Sequence, residues 1–327
     1  ETARATKRIC QTGTQIRSSP GIREAIAFLQ AGKLGKLTVA RGLCYKRRAS
    51  IGKVNGPQAV PKSVDYNLWC GPAPAGPLMR KNLHYDWHWI WDYGNGDLGN
   101  QGIHQMDVAR WGLGKHDLGK GALSVGGRFG YVDDGQTANT QICVIDYGDS
   151  ELIFEVRGLS TRDYKGATIG NVFHCEGGYL VIAGYEKATA FSPNGEVVAQ
   201  FSGGGDHFAN FVQAVRSRKH ETLHGDILEG HLSSALCHLA NISYRLGSMK
   251  QFDRTKASLG DDKAAAETLE RTQEHLKSNG VPIDKTEYRV GRQLRIEPGK
   301  EVFVGDKQAD AILTRPYRKG FEVPASV

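Results

Sequence analysis

The polar run Ser18-Ser19-Pro20-Gly21 gives way to apolar residues at Ile22, Ala25, Ile26 and Leu29. That spacing lines one side of a helix, and a serine cap with a proline in the first turn marks its start. Gly32 and Gly35 end it. The next run, Leu37 to Tyr45, reads as a strand. Ahead of both, Ile9-Cys10-Gln11-Thr12 is expected as a buried strand after a basic helix end, with Gly13 at the turn. Strand, turn, helix and strand make one α/β unit.

A glycine- and proline-rich stretch, 56–77, is a long connection of the kind that borders sites. The segment His84 to Tyr93 then holds Trp87, Trp89 and Trp91, and Gly102 to Trp111 reads as a helix. From about 121 to 200 the period changes to two. Gln141 to Tyr147 and Glu151 to Val156 flank Gly148-Asp149-Ser150, a hairpin signal. Gly178 to Ile182 and Glu196 to Phe201 continue the pattern. Such alternation buries one face and wets the other, as antiparallel sheets allow. Helices are expected over 206–218, 228–246 and 263–278, the last stopped by Asn279-Gly280. Short apolar runs recur near Tyr288 and from Val302 to Val304.

Composition narrows the class. The 327 residues are 39% apolar and 24% charged, which excludes global disorder and fibres. No stretch approaches ~20 apolar residues, so no membrane span is expected. The formal charge of +7 admits anionic small molecules. The basic residues are scattered, and Tyr45-Lys46-Arg47-Arg48 is too short for a nucleic-acid footprint. Six cysteines without a CxxC pair read as reduced, small apolar residues. No signal-peptide pattern opens the chain, and a leader further upstream would leave no trace here. The compartment stays open between cytoplasm and export.

The densest candidate chemistry is Asn100-Gln101-Gly102-Ile103-His104-Gln105-Met106-Asp107. On a helix, Asn100 and Asp107 both neighbour His104. A histidine between an amide and a carboxylate can accept and return a proton near neutral pH, the carboxylate orienting the ring. The plainer reading is a structural histidine bonded to Asp107. His84 and His88, followed by His104, give a ligand count that suits zinc, but no HExxH appears and no metal is expected. The tryptophans are core, or a wall that suits sugar faces. His231 and His238, seven apart in one helix with Asn241 beside the latter, are core-facing or touch a ligand. Neither Gly96-x-x-Gly99-x-x-Gly102 nor Gly126-Gly127-Arg128-Phe129-Gly130 matches the dinucleotide fingerprint.

These segments resemble the Gfo/Idh/MocA family of oxidoreductases. The likeness is carried by Gln11 to Arg17, Ala31 to Leu37, Asp65 to Pro72, Gly96 to Asp107 and His207 to Val215. It implies an α/β (α+β) fold, with a large, mostly antiparallel open sheet and helices packed on one face. The first match resembles the last strands of the family's N-terminal Rossmann domain. Residues 1–20 are therefore expected to be a remnant of that domain, which the chain otherwise lacks. Residues 21–250 are expected to form the substrate-binding and oligomerisation domain, and 251–327 an extension that returns toward the first. The cofactor implied is NAD or NADP, bound mostly by the missing part. The partner implied is a sugar-like small molecule, with assembly into a homodimer or homotetramer through the open sheet face.

By the same resemblance, His104 matches the family's proton-transfer histidine. Asn100 stands where the family has an aspartate, so His104 carries proton transfer more nearly alone. Asp107 completes the catalytic set. Thr14, Gln15 and Arg17 match a segment near the nicotinamide, and His84, His88, Trp89 and Tyr45 are expected to contact substrate. The activity implied is oxidation of a hydroxyl on a sugar, polyol or derivative. The alternatives are a redox-assisted glycoside hydrolase or lyase, and a non-catalytic sugar-binding scaffold.

Overall fold

Strand β1 (Leu37–Tyr45) is the centre of the structure. In the computed structural model, residues 2–297 and 299–324 are described. The further strands are β2 (Gly121–Gly127), β3 (Thr140–Asp146), β4 (Glu151–Arg157), β5 (Ile169–Cys175), β6 (Gly178–Ala183), β7 (Lys187–Phe191), β8 (Val197–Ser202), β9 (Ser248–Lys250), β10 (Tyr288–Val290) and β11 (Leu294–Arg295). They form one open sheet in the order β8-β7-β6-β5-β1-β4-β3-β2-β10-β9, with β11 also on β2. Among the described strands only β1 and β4 pair in parallel. The helices are α1 (Thr2–Ala5), α2 (Pro20–Gln30), α3 (Tyr66–Cys70), α4 (Gly96–Asn100), α5 (Gly102–Gly112), α6 (His207–Ser217), α7 (Ile227–Arg245), α8 (Phe252–Ala257), α9 (Lys263–Ser278) and α10 (Lys307–Asp310). None is long and apolar enough to cross a membrane.

Alternation along β1 sends Ala40 and Cys44 to one face and Leu43 and Tyr45 to the other. On the first face lie α2, α5 and α7. Ile22, Met106 and Leu236 pack there against Leu152, Phe154 and Phe173. Helix α5 lies very close to the sheet, and two glycines make that approach sterically possible. A Cβ on Gly42 would stand 2.5 Å from the Phe154 ring and 3.3 Å from the Gln105 carbonyl; one on Gly112 would stand 2.2 Å from the Phe173 ring.

Part of the second face is covered as well, by α9. Its Ala265, Leu269 and Leu276 pack with Leu123, Val125, Ile142 and Ile153. Beside this apolar contact sits a buried polar clamp. Glu155 accepts from Tyr45 Oη at 2.6 Å, Arg271 Nη2 at 2.8 Å, Arg157 Nη2 at 3.2 Å and Arg41 Nη1 at 3.3 Å. Arg41 also donates to Thr268 on α9, at 2.5 Å. Burial alone would raise the pKa of Glu155, but Arg271, Arg157 and Arg41 hold it down at about 2.

Two expectations change here. The uncovered face does not leave an apolar surface free over β2–β4, because α9 of the same chain sits on it; a second copy cannot use that area while α9 is docked. Within 251–327, β10 and β11 pair with β2 of the same sheet. Residues 9–12 form no strand. Only Gln11 makes a bridge, to Asp226, and Thr12 N donates to Gly225 O at 2.8 Å. No neighbouring strand is there to pair with them.

The clamp makes a test of α9 docking. Glu155→Gln leaves three arginines facing a neutral amide and should cost about 3–5 kcal/mol, as removal of one partner of a buried ion pair does. Denaturant midpoints at neutral pH would read it. Because the folded pKa of Glu155 is depressed, its contribution is present above the unfolded value near 4.5 and is lost as pH falls toward about 2. The gap between parent and E155Q should therefore narrow over that window.

Candidate functional site

Gln101 has helical dihedrals, φ −82° and ψ −36°, so α4 runs into α5 with one break in the hydrogen-bond ladder. Asn100 and His104 consequently lie about one turn apart. The His104 ring meets Tyr185 edge-on, with centroids 5.8 Å apart. Tyr185 lies in the turn between β6 and β7. Gln101 ties the surroundings together: its Nε2 donates to Tyr185 Oη at 3.0 Å, and its Oε1 accepts from Lys46 Nζ at 3.3 Å. His104 Nδ1 is buried and has no partner. Burial lowers the His104 pKa below its ordinary 6.5, with Asp107 pulling weakly the other way. The ring is then neutral at pH 7, with one nitrogen free to accept a proton. Asn100 is half-buried at the edge of the same group.

Asp107 does not orient that ring. It accepts from Arg17 Nε at 2.7 Å, Arg17 Nη2 at 2.9 Å and Ser233 Oγ at 2.8 Å. Arg17 and Arg110 also share Glu229, at 3.0 and 2.5 Å. The N-terminal segment and α7 take three of the carboxylate's roughly four acceptor positions, and it makes no hydrogen bond to His104. Tyr45 is also removed from the group. Strand alternation points it to the opposite sheet face, where Glu155 holds its hydroxyl and burial raises its pKa.

The aromatic segment is packed differently from its sequence reading. Asp86–Trp89 is a single 3-10 turn, so His84 and His88 share no helical face. His88 is buried, its ring stacked on Trp87 at 3.9 Å, and Nδ1 donates to Tyr85 O. Trp89 is buried between the guanidinium groups of Arg48 and Arg128, each 5.7 Å from the ring. Arg48 in turn grips Asp97 through two bonds of 2.8 and 2.7 Å. Of the four substrate candidates only His84 is exposed, and it faces no other site residue by any contact described. Among the described residues no three His, Cys, Asp or Glu side chains gather as a metal site.

The nicotinamide candidates do not form a cradle. Thr14 is buried and its hydroxyl lies 3.2 Å from that of Thr12. The guanidinium of Arg17 is taken by Asp107 and Glu229. Gln15 alone keeps an exposed polar end. The residues present therefore do not fit a dinucleotide by themselves.

Sequence reasoning missed Gln101 and Tyr185 as neighbours of His104, and Lys46 as the partner of Gln101. Lys46 stood in the one basic cluster and Gln101 inside the quoted motif, but nothing in the sequence marks Tyr185. It also missed a directional chain at the N-terminal segment. Arg23 donates to His224 Nε2 at 2.5 Å, His224 Nδ1 to Ser18 Oγ at 3.1 Å, Ser18 to His207 Nδ1 at 2.6 Å, and His207 Nε2 to Thr12 O at 2.7 Å. The Arg23 guanidinium can only donate, so His224 accepts at Nε2 and carries its proton on Nδ1; the Thr12 carbonyl can only accept, so His207 carries a proton on Nε2.

Several solved structures match at low identity. A WlbA dehydrogenase from Bordetella pertussis, in complex with NADH and UDP-GlcNAcA, is 12% identical with a TM-score of 0.48; the match covers 74% of this chain and 62% of that one. An NAD binding oxidoreductase from Klebsiella pneumoniae is 12% identical, TM-score 0.48, over 74% and 66%. An oxidoreductase from Thermotoga maritima is 12% identical, TM-score 0.46, over 72% and 60%. The chain thus spans less than two thirds of the length of each. The sequence matches no curated protein. A family model described as "Oxidoreductase family, C-terminal alpha/beta domain" matches residues 32–276, from the turn after α2 to the end of α9. With three quarters of its length in that match, the chain belongs to the Gfo/Idh/MocA oxidoreductase family through the C-terminal α/β domain.

Proposed function

We propose that this chain supplies the substrate-binding and proton-transfer part of an NAD(P)-dependent oxidoreductase acting on a hydroxyl of a sugar, polyol or derivative. The observation that carries the reading is the His104 imidazole at the start of α5, whose Nδ1 has no hydrogen-bond partner and whose ring meets Tyr185 edge-on. NAD(P), when held by the whole protein, supplies the hydride acceptor; the described residues of this chain give no cradle for it. Within this chain, His104 takes the proton of the substrate hydroxyl. Asn100 cannot titrate and serves as a hydrogen-bond partner to that hydroxyl. Tyr185 borders the ring, and Gln101 holds its hydroxyl while bonding Lys46 on the other side of its amide. Asp107 is a positioning residue: it holds α5 against the N-terminal segment.

The assay is NAD(P)H formation with a panel of sugars and polyols, scored per folded site. His104→Ala should lower turnover ~10²–10⁴-fold, the range for a lost general base. A value within threefold of the parent would remove His104 from the mechanism. The parent rate should fall on the acid side with a midpoint below 6.5, because the base must be unprotonated, and H104A should lose that limb. Asn100→Asp should keep activity.

Asp107→Asn separates positioning from chemistry. It should cost about 3–5 kcal/mol of stability, leaving Arg17 and Arg110 short of a carboxylate. The folded fraction should keep the acid limb of the parent. If no sugar or polyol reduces NAD(P) but a glycoside is cleaved, product analysis would identify the redox-neutral alternative. Sugar binding without either reaction would identify the scaffold.

A further inference from the structure

The outer face of α7 carries a polar stripe that the His104 site does not use. His231, Ser234, His238, Asn241 and Arg245 recur at helical spacing along it. The inner face of α7, with Leu232, Leu236 and Ala240, is the one that packs into the core. A helix on the outside of a protein normally turns such a stripe to water. Here it borders a cavity of about 870 Å³, closed on one side by Trp87, Trp91 and Tyr93 and on another by the tail from Ile296 to Tyr317. None of His104, Gln101, Tyr185 or Lys46 lines it. The volume is within the range of roughly 300–1,000 Å³ typical of small-molecule sites.

The aromatic wall is held in place from behind. Trp91 N donates to Gln136 Oε1 at 2.9 Å, Tyr93 Oη donates to Pro74 O at 2.9 Å, and the Trp87 ring stacks on His88 at 3.9 Å. On the polar wall Asn241 is already bonded, donating to Asn95 O at 3.1 Å and accepting from Gln141 Nε2 at 3.3 Å, which leaves Arg245 and His238 to meet a ligand. Among the described residues Arg245 has no carboxylate partner; its guanidinium lies 5.2 Å from the Trp91 ring centroid. His238 makes no hydrogen bond to protein, and its surface opens to the cavity. Charge is balanced: Arg245 and Arg315 stand with Asp92 and Glu301, and His231 bonds Glu301 at 2.6 Å. A charge-balanced site does not favour a polyanion. Flat apolar rings facing a row of amide, hydroxyl, imidazole and guanidinium groups match a ring with apolar C–H faces and an equator of hydroxyls.

We infer that the cavity between α7, the Trp87–Tyr93 loop and the C-terminal tail is a second, non-catalytic binding site for a neutral saccharide. The rings of Trp91 and Tyr93 cover the sugar face. His238 and Arg245 bond its hydroxyls. The site is independent of the reaction proposed at His104, and its occupant need not be the substrate.

The test is an array of neutral and uronic mono- to pentasaccharides, followed by calorimetry and tryptophan fluorescence with the best neutral binder. A neutral saccharide should bind and shift the tryptophan emission. Arg245→Gln and Trp91→Ala should each weaken it at least tenfold while thermal midpoints stay near that of the parent. His238→Ala, a smaller change, guards against misfolding of W91A and should weaken binding severalfold. H104A should bind as the parent does. Absence of binding by any neutral saccharide would overturn the assignment. So would binding that survives R245Q, W91A and H238A, or binding that H104A abolishes, since the last would place the sugar in the His104 site instead.

Discussion

Asp107 sits where three parts of the molecule meet. It belongs to α5, bonds Arg17 of the N-terminal segment and Ser233 of α7, and shares with Glu229 the charge of Arg17 and Arg110. Two arginines and two carboxylates in one dry volume are worth little as a net gain over apolar packing, but each becomes costly once its partner is lost. Such a group specifies geometry more than it adds stability. It sets where α5 stands along its axis and thereby where His104 is presented. The chain from Arg23 through His224, Ser18 and His207 to Thr12 does the same for the segment that carries Arg17.

Height above the sheet is decided by a different constraint. Gly42 and Gly112 carry no Cβ that would keep α5 away from Phe154 and Phe173. The helix is pressed to the strands by apolar burial on one side and held in register by ion pairs on the other. His104, at the start of this helix, inherits both. Its burial without a partner for Nδ1, which would be a liability in an ordinary core histidine, lowers its pKa and keeps the imidazole neutral.

The second face of the sheet shows how an extension can replace a partner. Apolar alternation in β2, β3 and β4 demands a cover. Helix α9 supplies one, and the Glu155 clamp fixes its position through Arg271 and Thr268. The edge strand β8 is left with Val197 and Val198 exposed, so the sheet is capped unevenly along its length.

Local pattern was enough for much of this. The serine-proline start and apolar spacing placed α2, and period-two alternation placed β3, β4 and β6 to within about a residue. Motif likeness pointed to the family, and residue spacing together with that likeness singled out His104 as the candidate. These features are local because helix caps, turns and side-chain alternation act over a few residues. Partners of charged groups were not legible. Asp107 lies three residues from His104 in sequence, but Arg17, 90 residues away, claims it. Tyr45 was assigned to the substrate side when the pleat turns it to the other face. Tyr185 reached His104 only through the sheet order, which brings the β6–β7 turn beside β1's end. Which carboxylate a guanidinium selects, and which ring closes on a histidine, depend on long-range packing that no local spacing encodes. The tertiary structure decided them.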